Sequence, residues 1–366
     1  MAVERALFPE ADIRWIRNRL LEIDRTCAPD PAVLDYCYER RLFKLFVPDA
    51  LGGRMTPLPE ALRWFEEASR VDGSFGWLVT IGSGGGYFAA YMEPDAAKQV
   101  FADRHAVIAG SGMPTGTARR TDGGYRVSGR WKYCSGSTFA TTFTANAIVE
   151  TGEPASGDAP SIRAFIFRPQ QVNIVRDWDA FGMKGTESHT IVVEDAFVPE
   201  GMTFNLEERK AYAEEPVYRY PFVSFAETSF AAVCIGLAGR FLDEAETRIR
   251  DRLQSHPERL DFVSLLARRS RDALNRRIDA FYDTVNRSWE LHVRESGLPS
   301  EMQERVSSVC KAVTRQAVAS CETLFPYLGM AGLFERDPLN RVFRDLHTAA
   351  QHAMLVPYRD EEVAMT

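Results

Sequence analysis

Three spacings of apolar positions follow one another along the chain. From Pro9 to about Phe101 the spacing is helical: "EALRWFEEASRV" sets Leu62, Phe65 and Val71 near one face and Glu66 and Glu67 on the other. "GSFGWLVTIGSGGGYFAAYM" is apolar almost throughout but too short to cross a bilayer, which predicts a buried helix with close neighbours at Gly82 and at Gly84 to Gly86. Between about Ala106 and Phe204 the pattern shortens. An Asp-Gly-Gly turn signal opens "TDGGYRVSGRWKY", and "TTFTANAIVE", "IRAFIFRP" and "HTIVVEDAFVP" are short, β-branched or aromatic runs bounded by Gly, Pro or charge. These predict a β domain, with the polar stretch "ETGEPASGDAPS" as a loop between two of its strands. From about Val223 the helical period returns: Phe230, Val233, Cys234, Leu237 and Phe241 form one stripe, and two long segments after it carry similar ones. The expected fold is α+β, with helical residues 1–105, a β domain over 106–205 and a helical bundle over 206–366.

Composition narrows the partners. The chain has 366 residues, 45% hydrophobic and 26% charged, which is ordinary globular material. A formal net charge of −7 opposes a phosphate backbone, so nucleic acid is not an expected partner. "MAVERALFPEADIRWIRNRL" lacks the apolar centre of a signal peptide, and no window approaches 18 consecutive apolar residues; the expectation is a cytoplasmic protein with no membrane partner. Six cysteines are scattered without close pairing and the histidines show no ligand spacing, so neither a disulfide framework nor a metal site is expected.

The chemistry concentrates in two strings, "GGYRVSGRWKYCSGSTFA" and "DWDAFGMKGTESHTIVVEDAFVPEG". Together they resemble the acyl-CoA dehydrogenase superfamily, whose members share the order helices, strands, helices and bind flavin between the β domain and the C-terminal bundle. The second string fits W-x-x-x-G-x-x-G-T-x-S followed by a strand ending V-P-E, through Trp178, Gly182, Gly185, Thr186, Ser188 and Val198 to Glu200. In the first, the resemblance implies that Tyr133 takes the position of the aromatic residue packed on the flavin ring. Ser135 takes that of the hydroxyl bonded near its reactive nitrogen. A flat ring with hydrogen-bonding edges calls for that pairing of an aromatic face with fixed polar groups. The implied flavin-binding set is Trp131, Tyr133, Ser135, Gly136, Gly185, Thr186 and Ser188.

Departures from the dehydrogenase pattern point to one branch of the superfamily. Trp131 stands where dehydrogenases carry Lys, and "GSGMPTGTARR" replaces their T-E-x-x-A-G-S-D loop. Both features look more like the two-component flavin-dependent monooxygenases, which use reduced flavin, supplied by a separate reductase, and O2 on small organic substrates. A dehydrogenase needs a carboxylate to take the α-proton of its thioester, yet the matching position falls at about Ala353 in "LHTAAQHAML". The monooxygenase branch instead has a His after an R-x-x-R-D helix, here Arg341, Arg344, Asp345 and His352. The resemblance makes His352 and Ser135 the catalytic candidates, His352 as a group titrating near neutral pH. Two alternatives stay open: a divergent FAD-dependent acyl-CoA dehydrogenase with Glu227 as base, and a flavin-binding scaffold without activity. FAD versus FMN is open as well, and the family leads one to expect a homo-oligomer, tetramer or dimer.

Overall fold

The computed structural model describes residues 7–150, 161–210, 212 and 214–358, so most of the polar stretch read as an inter-strand loop lies outside the described residues. Helices α1 (Glu10–Arg19), α2 (Ile23–Thr26), α3 (Pro31–Glu39), α4 (Leu58–Val71), α5 (Gly73–Gly84) and α6 (Pro94–Phe101) come first. The strands follow as β1 (Ile108–Thr121), β2 (Gly124–Cys134), β3 (Thr142–Glu150), β4 (Ile162–Phe167), β5 (Asn173–Val175), β6 (His189–Pro199) and β7 (Thr203–Phe204). Helices α7 (Pro216–Arg219), α8 (Phe222–Leu253), α9 (Pro257–Glu295), α10 (Ser300–Leu324) and α11 (Pro338–Ala349) close the chain. The α+β class is therefore observed, in the order the apolar spacing implied.

Among the described residues the strands form one sheet, ordered β5-β6-β2-β1-β3-β4-β7, antiparallel except for the β1/β3 pair. The Asp-Gly-Gly signal is the β1–β2 hairpin, where Gly123 holds φ +72°, a region that side chains with a Cβ enter only at a cost. Inside the sheet, Tyr125, Val127, Trp131, Phe143, Phe165, Phe167 and Ile191 make a core of their own.

A second core joins the N-terminal helices to the C-terminal bundle, with α8 at its centre, packed on α4, α5, α10 and α11. By length and composition α8 could cross a bilayer, but 83% of its most apolar window is buried in the protein, so its apolarity serves this core. The segment after α4 is buried as expected, but α5 ends at Gly84 and continues as a 3₁₀ turn, Gly85–Ala90. A Cβ on Gly82 would meet Phe43 at 2.6 Å, and one on Gly86 would meet the backbone of Phe46 and Val47 at 2.9 Å. Gly84, by contrast, faces open space, so close contact is not its reason. Cys27 is exposed, and the other five cysteines are buried; all six are unpaired.

Candidate active site

The string "GRWKYCSG" forms the end of β2 and the turn after it. Its pairing with β6 slips between Trp131 and Cys134, and Tyr133 takes φ +65° at that slip. The bulge breaks the two-residue alternation, so Lys132 and Tyr133 are both exposed while Cys134 and Ser135 are both buried. This explains why the segment has no consistent face.

The slip also separates residues that the motif had grouped. Trp131 is 0% exposed and lies in the core of the sheet, 6.0 Å from Phe167, with Nε1 donating to the Asn146 carbonyl at 2.8 Å. A Cβ on Gly116 or Gly129 would stand 2.2 or 2.4 Å from its ring, so the glycine of "GRW" makes room for the indole. Trp131 is thus placed apart from Ser135 and packs the β domain from within. Tyr133 is 69% exposed, edge-on to Trp178 at 6.2 Å, which leaves an open aromatic face at the surface. Gly136 holds φ +76° and donates its backbone N–H to the Thr186 carbonyl at 2.8 Å, tying this turn to the second motif.

In the second motif each residue type has a separate mechanical reason. Trp178 donates Nε1–H to the Met183 carbonyl at 2.9 Å and so closes the loop. Gly182 lies against the backbone of Arg344, 2.3 Å from a virtual Cβ, and Gly185 against the side chain of Ile23 on α2, at 2.1 Å. Met183 and Glu187 adopt left-handed φ of 55° and 47° without being glycine, a strained backbone that its surroundings hold in place. Thr186 and Ser188 face inward, with Thr186 Oγ1 and Ser188 Oγ 2.6 Å apart and Ser188 Oγ 2.7 Å from Ser135 Oγ.

A residue not singled out in the sequence completes this group. Trp77 of α5 donates Nε1–H to Ser135 Oγ at 2.9 Å, stacks on Phe230 of α8 at 5.3 Å, and lies 6.0 Å from the His352 ring. Phe230 in turn is 4.1 Å from His352. One continuous line of contacts therefore joins Ser135, Ser188 and Thr186 from the strand region, Trp77 from the first helical block, and Phe230 and His352 from the second. The sequence signal for Trp77 was weak but physical: an indole N–H inside an otherwise apolar buried helix requires a hydrogen-bond acceptor.

His352 departs from its expected chemistry. Burial pushes its imidazole down to about 4, so it is neutral across the neutral range and does not titrate near pH 7. Its Nδ1 faces the Met354 backbone N–H at 3.4 Å, which leaves the proton on Nε2 and makes His352 a hydrogen-bond donor.

Arg341, Arg344 and Asp345 anchor the site from behind. Asp345 Oδ1 accepts the Met183 N–H at 2.6 Å, and Arg344 donates to the Phe181 carbonyl at 2.9 Å and pairs with Asp24. Arg341 reaches the Leu20 carbonyl at 2.7 Å and Asp72 at 2.8 Å, while Asp72 caps the first turn of α5 through the Phe75 N–H. These bonds hold the start of α5, and with it Trp77, against the Met183–Ser188 loop. Burial, then the charge of Asp72, pushes the Asp345 carboxyl up to about 7. Glu227, the dehydrogenase alternative, turns its Oε1 toward α10, where Ser307 donates to it at 2.8 Å. Among the described residues no cluster of His, Cys, Asp or Glu could hold a metal ion.

The junction suits a flat ring with polar edges: an exposed aromatic face at Tyr133 beside a half-buried Trp178, a buried hydroxyl at Ser135, and an apolar wall of Trp77 and Phe230. Comparison with known proteins agrees with this chemistry. Residues 228–357 match the acyl-CoA dehydrogenase C-terminal domain model. An indole-3-acetate monooxygenase from Pseudomonas putida is 30% identical over 93% of this chain and 87% of its own length. The oxygenase subunit HsaA of a flavin-dependent monooxygenase from Mycobacterium tuberculosis is 26% identical over 87% of this chain and 83% of its own. The crystal structure of XiaF from a Streptomyces species, solved with FADH2 and glycerol, superposes with a TM-score of 0.78 at 22% identity, covering 94% of this chain and 92% of that one. The chain belongs to the acyl-CoA dehydrogenase superfamily, in its flavin-dependent monooxygenase branch. It is an oxidoreductase that works on a small organic substrate with reduced flavin and O2, and relatives such as HsaA are named as the oxygenase subunit or component of their enzymes.

Proposed function

We propose that this chain is an aromatic-ring hydroxylase, fed reduced FAD or FMN by a separate flavin reductase, with its reaction centre where Trp77, Ser135, Phe230 and His352 meet. The observation that carries this reading is the wall formed by Trp77, Phe230 and His352, three flat rings at 4.1 to 6.0 Å. Planar apolar substrates stack on such a wall. The names of two relatives, an indole-3-acetate monooxygenase and a resorcinol hydroxylase, support an aromatic acid or phenol as the substrate class. Bound in its reduced form, flavin supplies the electrons that activate O2. The residues that would hold it are Tyr133 on the ring, Ser135 at its reactive nitrogen, and the Gly136, Thr186 and Ser188 framework behind. Gly185 and Trp131 support that framework by packing rather than by touching the ring. His352, neutral and with its proton on Nε2, donates a hydrogen bond to substrate or to the oxygen being transferred, and the apolar wall keeps water away. We also propose a three-part chain, 1–105, 106–205 and 206–366, working in the cytoplasm as a tetramer or dimer.

The test supplies the chain with FMN or FAD, a purified flavin reductase, NADH and 18O2, together with indole-3-acetate and a panel of phenols. One 18O atom in a hydroxylated product, lost in His352→Ala, is the expected result. No labelled product with either flavin, together with bleaching of bound oxidised FAD by an acyl-CoA, would overturn this reading in favour of the dehydrogenase.

A further inference from the structure

Four short contacts run in line behind the reaction centre. Trp77 Nε1 lies 2.9 Å from Ser135 Oγ, Ser135 Oγ 2.7 Å from Ser188 Oγ, Ser188 Oγ 2.6 Å from Thr186 Oγ1, and Thr186 Oγ1 2.8 Å from the Met183 carbonyl oxygen. The two ends of this line are chemically fixed, because an indole N–H only donates and a carbonyl oxygen only accepts. Between them stand three hydroxyls, each with a single proton. One arrangement makes every contact attractive: Trp77 donates to Ser135, Ser135 to Ser188, Ser188 to Thr186, and Thr186 to Met183. In the reverse arrangement Thr186 Oγ1 and the Met183 oxygen would face each other at 2.8 Å with no proton between them. Burial raises the cost of that repulsion, since Thr186 is 0% exposed and Ser188 5%.

It follows that the Ser135 proton points inward. One Ser135 lone pair is taken by Trp77, and the other is left for a ligand. We propose that this oriented hydroxyl relay makes Ser135 a hydrogen-bond acceptor toward the flavin, and that Ser188 and Thr186 thereby select the reduced ring, whose reactive nitrogen carries a proton, over the oxidised ring, whose nitrogen carries a lone pair. This rests on the flavin reading above and adds a mechanism to it. Oxidised flavin would meet lone pair against lone pair at Ser135, or would have to reverse the relay and lose the Thr186–Met183 bond. Ser188 and Thr186 are positioning residues here, acting through Ser135, while Trp77 donates to Ser135 in either arrangement.

Anaerobic equilibrium titrations with oxidised and reduced FMN, repeated with FAD, test the relay without turnover. The wild-type chain is expected to bind the reduced form at least tenfold more tightly. Thr186→Val removes the acceptor at the end of the line, so that Ser188 donates back to Ser135 and the Ser135 proton turns outward. Oxidised flavin should then gain affinity and the preference should fall by about tenfold, or about 30 mV in the midpoint potential of the bound two-electron couple. Ser188→Ala, which frees Ser135 to turn either way, should give an intermediate preference. Thr186→Ser keeps the hydroxyl and should keep the wild-type ratio, and thermal unfolding of each variant separates lost folding from lost polarity. Equal binding of both redox forms by the wild-type chain, or an unchanged ratio in whichever of Thr186→Val and Ser188→Ala folds, would overturn the relay and leave the flavin reading standing. If neither redox form of either flavin binds, the flavin reading itself fails.

Discussion

Trp131 and Trp77 are the same side chain in two settings. Trp131 sits in the most conspicuous motif of the chain, yet its N–H ends on the Asn146 carbonyl of its own sheet and its ring fills the β core over two glycines. Trp77 sits in a featureless apolar helix, yet its N–H ends on a side-chain hydroxyl from another part of the chain and its ring joins Phe230 and His352. The difference lies in what accepts the indole proton. A backbone carbonyl in a sheet is already part of the scaffold, whereas a hydroxyl still has a proton and a lone pair with which to act.

That contrast breaks most sharply at the larger cavity. Trp131→Ala should destabilise the chain by about 3–5 kcal/mol, because it empties a fully enclosed site between glycines that cannot close over it. Urea unfolding reads this directly, and a loss below about 1 kcal/mol would show that the ring is not a core residue. Asp345→Ala should cost about 1–3 kcal/mol, since the Met183 N–H would be left buried without an acceptor. Trp77→Phe keeps most of the ring and removes the donor; a stability loss of only about 1 kcal/mol is expected, with the reduced-to-oxidised flavin affinity ratio held, because the Met183 carbonyl still sets the direction of the relay. Trp131→Phe, of similar chemistry, should leave that ratio unchanged.

The two shifted groups near the junction predict opposite pH effects. Asp345 is raised above the ordinary carboxylate range to about 7, so the folded state binds the extra proton and stability falls as pH rises from about 4 to 7. His352 is lowered to about 4, so between there and its ordinary range the unfolded state binds the extra proton; this group's contribution grows as pH rises over that interval. Unfolding midpoints across pH 4 to 7 for Asp345→Asn and His352→Gln should bend away from wild type in opposite senses. For the same reason, turnover should show no ionisation of His352 near pH 6.5. The smallest effect is expected at Glu227: Glu227→Gln should change hydroxylation by less than about twofold, because its carboxylate serves the contact with Ser307.

Most of the architecture was legible because apolar spacing reports which face is buried, and the change from helical to strand spacing and back is abrupt at both ends of the sheet. Gly185, Thr186 and Ser188 were visible as a motif through the family resemblance, which fixes their spacing from Trp178. Trp77 and Phe230 were not visible as neighbours of Ser135 and His352. An aromatic in an apolar stripe looks the same whether it packs a core or lines a cavity, and only the neighbours that arrive from distant parts of the chain separate the two. The left-handed turn at Tyr133 was equally hidden, since strand alternation gives no sign of a bulge until the partner strand is placed.

By itself, then, the sequence determined the order of elements, the hydroxyl and glycine positions of the two motifs, and the absence of a carboxylate beside His352. These are local properties, set by side-chain type and spacing. Tertiary structure decided which tryptophan meets Ser135, Phe230 and His352, that His352 is neutral, that Arg341, Arg344 and Asp345 brace the Met183–Ser188 loop, and which groups stand in line with the Ser135 hydroxyl. Each of these depends on burial or on a hydrogen-bond partner more than 50 residues away along the chain, and neither can be read from neighbours in sequence.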